Sequence, residues 1–251
     1  MQTTTLSFEK LHNHGALFAK MLRAKRELVI VHNQWDLPEA LGMEYDQYDT
    51  PASRWVVVHD ELGRVLAGNR LTPTIARCGI CSCTIREAQR GLFDAIPTNL
   101  LHAEAPVAET LSESSRLFVT LDLPAAIRRS VHARLISEPA KASRLPGATQ
   151  CMALLAAKWP LWAGRVGADM TAMGPVMEND GIDDQVLSMG FSNQLHRACR
   201  PLPAGADCCF QPFHGAGSIA PWQICLIPGP KLPLRGRARL LTGCARRRWP
   251  M

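Results

Sequence analysis

Arg54-Trp55-Val56-Val57-Val58-His59 and Val65-Leu66-Ala67-Gly68-Asn69-Arg70-Leu71 are two β-rich runs. They are separated only by a short polar turn around Glu61-Leu62-Gly63-Arg64. A connection this short joins antiparallel neighbours, so the chain must build an antiparallel sheet. A second constraint lies further on. Leu117–Leu121 reads as a strand, and Asp122 with Pro124 opens a helix running to about Leu145, which Pro139 is expected to interrupt. Gln150–Leu155 then reads as an apolar, buried strand. Strand–helix–strand favours a parallel pair within the same sheet.

The remaining elements fit around these two units. Leu11, Leu17, Phe18, Met21 and Leu22 recur at helical spacing within 8–30. The stretch His32–Pro51 has no clean period and reads as a long loop, a place where functional residues collect. A short helix is expected near Pro160, with closing strands at Ala172–Glu178 and Gln185–Phe191. The expected class is α+β, with helices covering a mixed sheet.

Charge divides the chain. The net charge is +6, but from Arg197 onward there are nine basic residues and one acid, Asp207. That segment carries +8, and the preceding 196 residues carry −2. The same segment holds eight Pro, six Gly and five of the nine Cys, without sustained periodicity. Two regions are therefore expected, a folded domain over 1–196 and a disordered tail over 197–251. A basic tail alone gives little reason to expect nucleic-acid binding. No apolar run reaches the length of a membrane span, and the N-terminus lacks a secretory pattern, so a cytoplasmic protein with reduced thiols is expected. Cys78, Cys81 and Cys83 begin like a zinc site, but no second pair with matching spacing follows in the domain. There is no G-x-S-x-G elbow for a serine hydrolase.

Four short pieces carry candidate chemistry. They are Trp35-Asp36, Glu44-Tyr45-Asp46-Gln47-Tyr48-Asp49, Arg70-Leu71-Thr72-Pro73-Thr74, and Glu113-Ser114-Ser115-Arg116. Taken singly, each has an ordinary explanation: an anchoring aromatic, a solvated acidic turn, a strand-end ion pair, a local i,i+3 pair. Taken in order, they resemble the LuxI-type acyl-homoserine lactone (autoinducer) synthases. The similarity spans about residues 8–196. Two positions depart from the usual pattern: Lys25 stands where that family has Arg, and Val29 where it has Phe.

The resemblance implies a GNAT-like α/β/α sandwich whose mixed, mostly antiparallel sheet splays open into an acyl cleft. It implies an acyltransferase that acylates the amine of S-adenosylmethionine from acyl-CoA or acyl carrier protein. Release of methylthioadenosine then closes the lactone, a quorum-sensing signal. S-adenosylmethionine is a substrate here; no permanent cofactor, metal, membrane or nucleic-acid partner is expected. Glu113 is the implied general base. Asp46, Asp49, Arg70 and Arg116 form the implied ion network, and Lys25, Val29 and Trp35 join Asp46, Asp49 and Arg70 around the adenosylmethionine pocket. Phe93, Met152, Leu154, Leu155 and Trp159, with Trp162 near them, are the candidates for the acyl pocket. The stretch Met152–Ala156 carries no hydroxyl, which by the same resemblance disfavours a 3-oxo chain. The insert from Ile85 to Leu101 resembles a longer-insert branch of the family, some members of which take branched or aromatic acyl groups from acyl-CoA. Arg128, Arg129, Arg134 and Arg144 are candidates for docking an acidic carrier protein. A catalytically inactive relative that binds without turnover is the alternative, because of Lys25 and Val29.

Overall fold

The structure is a computed structural model, and it describes residues 1–191 apart from 78, 80, 81, 94, 145, 146, 165, 166 and 180. The expected tail lies outside the described residues. Eight strands form one sheet in the order β1-β4-β5-β6-β7-β10-β8, with β9 pairing β10. The ranges are β1 Gln2–Ser7, β4 Arg54–His59, β5 Val65–Pro73, β6 Leu111–Val119, β7 Gln150–Ala156, β8 Met170–Ala172, β9 Met177–Asn179 and β10 Ile182–Gly190. A separate two-stranded ribbon, β2 Glu39–Ala40 with β3 Met43–Glu44, folds the long loop back on itself.

The helices lie on both faces. Helix α1 (Leu11–Arg26) and the short α2 (Thr84–Gln89) cover one face, and α3 (Ala125–Arg144) and α4 (Trp159–Gly164) cover the other. Strand alternation sorts the core accordingly. Trp55, Val57 and Phe118 pack with Met21 and Leu22 of α1, whereas Val58, Leu117 and Val119 pack with Val131 and Leu135 of α3. This agrees with the α/β/α sandwich and mixed sheet that the resemblance implies.

All pairings are antiparallel except β6 with β7. That parallel pair holds only at Leu111–Gln150, Ser112–Cys151 and Glu113–Met152. Beyond Glu113 the two strands part, and a wedge opens in the middle of the sheet. The expected strand at Leu117–Leu121 therefore begins earlier, at Leu111, and takes in Glu113-Ser114-Ser115-Arg116. Its polar middle hides the strand from a hydrophobic-period reading, because its inward face is charged.

Other departures have local causes. Thr3-Thr4-Thr5 are β-branched and pair with β4, an edge strand that the polar N-terminus conceals. Helix α3 runs through Pro139 rather than ending there. The expected strand Ala172–Glu178 is broken in two around Gly174-Pro175, where proline can supply no ladder donor. At Gly174 an added Cβ would lie 1.9 Å from the Leu100 carbonyl oxygen, and His102 donates its N–H to the Met173 carbonyl at 2.9 Å. This close approach clamps the insert carrying α2 against the sheet.

Gly174→Ala must push backbone from backbone. It is expected to lower the unfolding free energy by about 2–3 kcal/mol, read as a fall in the urea midpoint at constant slope.

Candidate functional site

The turn Asp46–Asp49 is written by its own side chains. Asp46 Oδ1 accepts the Tyr48 N–H at 2.9 Å, and Asp49 Oδ2 accepts the Asp46 N–H at 3.0 Å. Such Asx bonds fix a turn and aim both carboxylates the same way. Ribbon strand β3 brings Glu44 alongside. Three acids thus converge under the sheet face that α1 covers.

Three cations meet them. Lys25 sits on the inward face of α1 with Met21 and Leu22, and its Nζ lies 2.8 Å from Glu44 Oε2 and 3.0 Å from Asp49 Oδ2. Arg70, near the end of β5, reaches Asp46 Oδ1 at 2.5 Å and Asp49 Oδ1 at 3.1 Å, and its Nε donates to Ser115 Oγ at 3.1 Å. Arg116 lies 2.8 Å from Asp46 Oδ2 and 3.5 Å from Glu44 Oε1. Trp55 Nε1 donates to Asp49 Oδ1 at 3.1 Å, and the Tyr48 ring lies 5.6 Å from the Arg70 guanidinium carbon. The six charges sum to zero, and none of the six side chains is more than 6% exposed.

The aim of Arg116 has a backbone cause. Between Gly68–Phe118 and Arg70–Ser115 the register slips, so Arg116 and Leu117 together oppose Asn69. Arg116 takes φ +51°, left-handed backbone that a non-glycine residue adopts rarely. A bulge with its first residue left-handed re-aims that side chain, here toward Asp46.

Burial opposes ionisation of Asp46, but Arg70, Arg116 and Lys25 outweigh it and hold the carboxyl well below the usual aspartate range. For Asp49 burial is likewise outweighed, by Lys25 and Arg70. Arg70 is desolvated too, yet Asp46 and Asp49 hold it protonated.

Glu113 differs. It is 1% exposed, and burial pushes its carboxyl above the usual glutamate range, while the Ile85 N–H, donated at 2.9 Å, pulls the other way. Cys83 lies beside it, its thiol pushed up by burial and then by the Glu113 charge. A buried carboxyl with a raised pKa is a stronger base than an exposed glutamate, which suits it to taking a proton.

The expected residues fall into three groups. Lys25, Asp46, Asp49, Arg70 and Arg116 meet in the network, with Glu113 on the same face of β6. Val29 is fully buried in the adjoining apolar cluster; Trp35 is half-buried against that cluster, and its backbone N–H donates to the Val29 carbonyl at 3.1 Å. Leu155 and Trp159 line a small apolar cleft on the α3 face. Met152, Leu154 and Phe93 instead pack with Ile85 and Leu100 on the opposite face of β7. Strand alternation separates 152 and 154 from 155. The side chain of Trp162, and Cys78 and Cys81, lie outside the described residues. Glu44, Tyr48, Trp55 and Ser115 are site residues that had no assigned role; the Glu-x-Asp spacing was the signal for Glu44. Glu87 is a further one, accepting short hydrogen bonds from the Tyr48 hydroxyl and the Ser82 N–H.

Two outcomes follow from the network. Lys25→Met leaves Glu44 and Asp49 short of a cation and is expected to cost about 3–5 kcal/mol in urea unfolding, with Lys25→Arg costing less. Because Asp46 and Asp49 are depressed in the fold, their stabilisation is present above the ordinary aspartate range and is lost as pH falls below it. The thermal midpoint should therefore drop steeply from pH 4 toward pH 2, and less steeply in Asp49→Asn.

No protein-family model matches this chain, and no curated protein does. Solved structures do. A CoA-dependent acyl-homoserine lactone synthase, BjaI, with SAM and isopentyl-CoA, superposes at a TM-score of 0.61 and 18% identity, over 79% of this chain and 89% of that one. TofI, in a ternary complex with an inhibitor and MTA, gives 0.61 and 22%, over 81% and 99%. The synthase LasI gives 0.62 and 16%, over 79% and 93%. At these identities the likeness speaks for architecture, and the fold of this chain is that of the acyl-homoserine lactone synthases.

Proposed function

We propose that the chain is an acyl-homoserine lactone synthase. One observation carries the reading. Strand β6 presents Glu113 beside a closed, neutral ion network on one face, lines an apolar cleft on its other face, and parts from β7 just past Glu113. An amine substrate and an acyl chain can meet at such a wedge.

In this reading the α-amine of S-adenosylmethionine gives its proton to Glu113, directly or through water. The amine nitrogen attacks the thioester carbonyl carbon; the new C–N bond forms, the C–S bond breaks, and the thiolate leaves and takes up a proton. The methionine carboxylate oxygen then attacks the carbon bearing the sulfonium, and that C–S bond breaks with release of neutral methylthioadenosine. The network positions the amine rather than reacting, which needs a rigid frame. Lys25 in place of Arg keeps both ion pairs, with Glu44 and Asp49, so that departure leaves the frame charged as the reading requires. An inactive relative is the second reading, and Val29 in place of the usual Phe is what favours it.

The acyl donor in this proposal is a CoA thioester. Of the four candidate docking residues on α3, Arg128 donates to the Leu121 and Leu123 carbonyls and Arg134 to Thr3 Oγ1, while Arg129 is exposed. The side chain of Arg144 lies outside the described residues. No helix among the described residues is long and apolar enough to cross a membrane.

Incubation with S-adenosylmethionine and a panel of acyl-CoA and acyl-carrier-protein donors should yield acyl-homoserine lactone and methylthioadenosine in equal amounts by mass spectrometry. Glu113→Gln should reduce the rate by roughly 100-fold or more. In the wild type, kcat/KM should rise with pH through an apparent pKa above the usual glutamate value, because only the ionised carboxylate accepts the proton. A folded protein that forms neither product from any donor overturns the synthase reading.

A further inference from the structure

Helix α2 belongs to the insert between β5 and β6, and its Glu87 reaches the turn that carries Asp46 and Asp49. Glu87 is 2% exposed, and each of its oxygens accepts a short hydrogen bond, Oε2 from the Tyr48 hydroxyl and Oε1 from the Ser82 N–H. Tyr48 is itself a fixed post. Its N–H donates to Asp46 Oδ1 at 2.9 Å, its carbonyl accepts the Ser53 hydroxyl at 2.8 Å, and its ring lies 5.6 Å from the Arg70 guanidinium carbon. Phe93 flanks the same ring, with centroids 6.3 Å apart. Two residues before Glu87, the Ile85 N–H donates to Glu113 Oε2 at 2.9 Å. The Glu87 N–H bonds back to the Cys83 carbonyl at 3.1 Å, so Ile85 and Glu87 share one helical turn. That turn spans from the ion network to the candidate base and is bonded to both.

A helix of six residues does not hold its own place. Ile85 and Ala88 of α2 share an apolar cluster with Tyr48, Leu111 and Met152, but apolar burial is non-directional and leaves the rotation of the helix loose. A hydrogen bond does not. Resting on the synthase reading above, we infer that Glu87 is a positioning residue for the reaction: its bond to Tyr48 sets α2 against the ion network and so aims the Ile85 N–H at Glu113. The base is thereby held in the same frame as the amine. The charged and titratable groups facing Glu113 are Arg70 from β5 and the Cys83 thiol at the head of α2, and β7 places Met152 opposite it. Arg70 is locked by Asp46 and Asp49, so a shift of α2 leaves it in place and moves the Ile85 N–H. That N–H favours the ionised carboxylate, and losing its aim pushes the Glu113 carboxyl further up.

The test uses Glu87→Gln, Tyr48→Phe and the double variant, with S-adenosylmethionine and an acyl-CoA that the wild type turns over. Each single variant should lower kcat by about tenfold, the cost of a small misplacement at a reacting group, while KM for either substrate changes by less than about twofold. The double variant should be no slower than the slower single one, because both cut the same link. The apparent pKa in kcat/KM should rise in both single variants. Loss of urea stability with kcat and apparent pKa unchanged overturns the inference, because Glu87 then supports only the fold. So does a pKa that moves in Glu87→Gln and stays put in Tyr48→Phe, because Glu87 then acts through its charge. Tyr48→Phe removes a single oxygen and keeps the comparison open should Glu87→Gln not fold. If the wild type turns over no donor, the synthase reading fails separately. Carbon-13 NMR titration of the Glu113 carboxyl in wild type and Tyr48→Phe then decides whether the link aims the amide: an upward shift supports it, and an unchanged value overturns it.

Discussion

Six buried charges that cancel one another organise this molecule. Lys25, Arg70 and Arg116 on one side, with Glu44, Asp46 and Asp49 on the other, come from a helix, two strands and a loop ribbon that share little sequence proximity. None could be desolvated alone. The helix must lie where Lys25 reaches β3, the loop must turn back at Asp46–Asp49, and β6 must bulge at Arg116. Neutrality of the set is what lets the long loop be an ordered wall. Within the set, opposite charges hold Asp46 and Asp49 below the ordinary aspartate range and keep Arg70 protonated, whereas Glu113, outside the set, is pushed up by burial.

The second organising fact is a sheet that fails to close. Only three residue pairs join β6 to β7, after which the strands part. Side chains from α3, β7 and β10 line the gap on one face, and the insert carrying α2 packs the other, clamped through Gly174 and His102. Past Glu113, β6 and β7 share no further ladder pair among the described residues, while each stays paired on its other side with β5 and β10.

Much of this was legible in the sequence, and the limits have physical reasons. The β4–β5 hairpin and the β6–α3–β7 unit follow from period and turn chemistry; Asp46, Asp49, Arg70 and Arg116 follow from the ordered motifs, and Lys25 from the resemblance. Strand β1 and the front half of β6 were hidden because threonines and a charged inner face carry no hydrophobic period. Glu44 shared a motif with Asp46 but drew no role, since only the folded ribbon brings it to Lys25. The acyl-pocket set mixed two faces of β7: Leu155 and Trp159 share a cleft that Met152 and Leu154 cannot enter. Tyr48 and Glu87 were invisible as a pair because they are 39 residues apart and meet only where the insert folds back onto the acidic turn.

Alternation along β6 has a consequence for how such a protein can diversify. Glu113 and Ser115 point toward the charges, and Ser114 and Leu117 toward the cleft. In the proposed synthase, the candidate base and the cleft wall thus occupy interleaved positions of one strand. On that reading, the cleft positions of β6 can be exchanged without moving Glu113, because the two sets of side chains leave the strand on opposite faces.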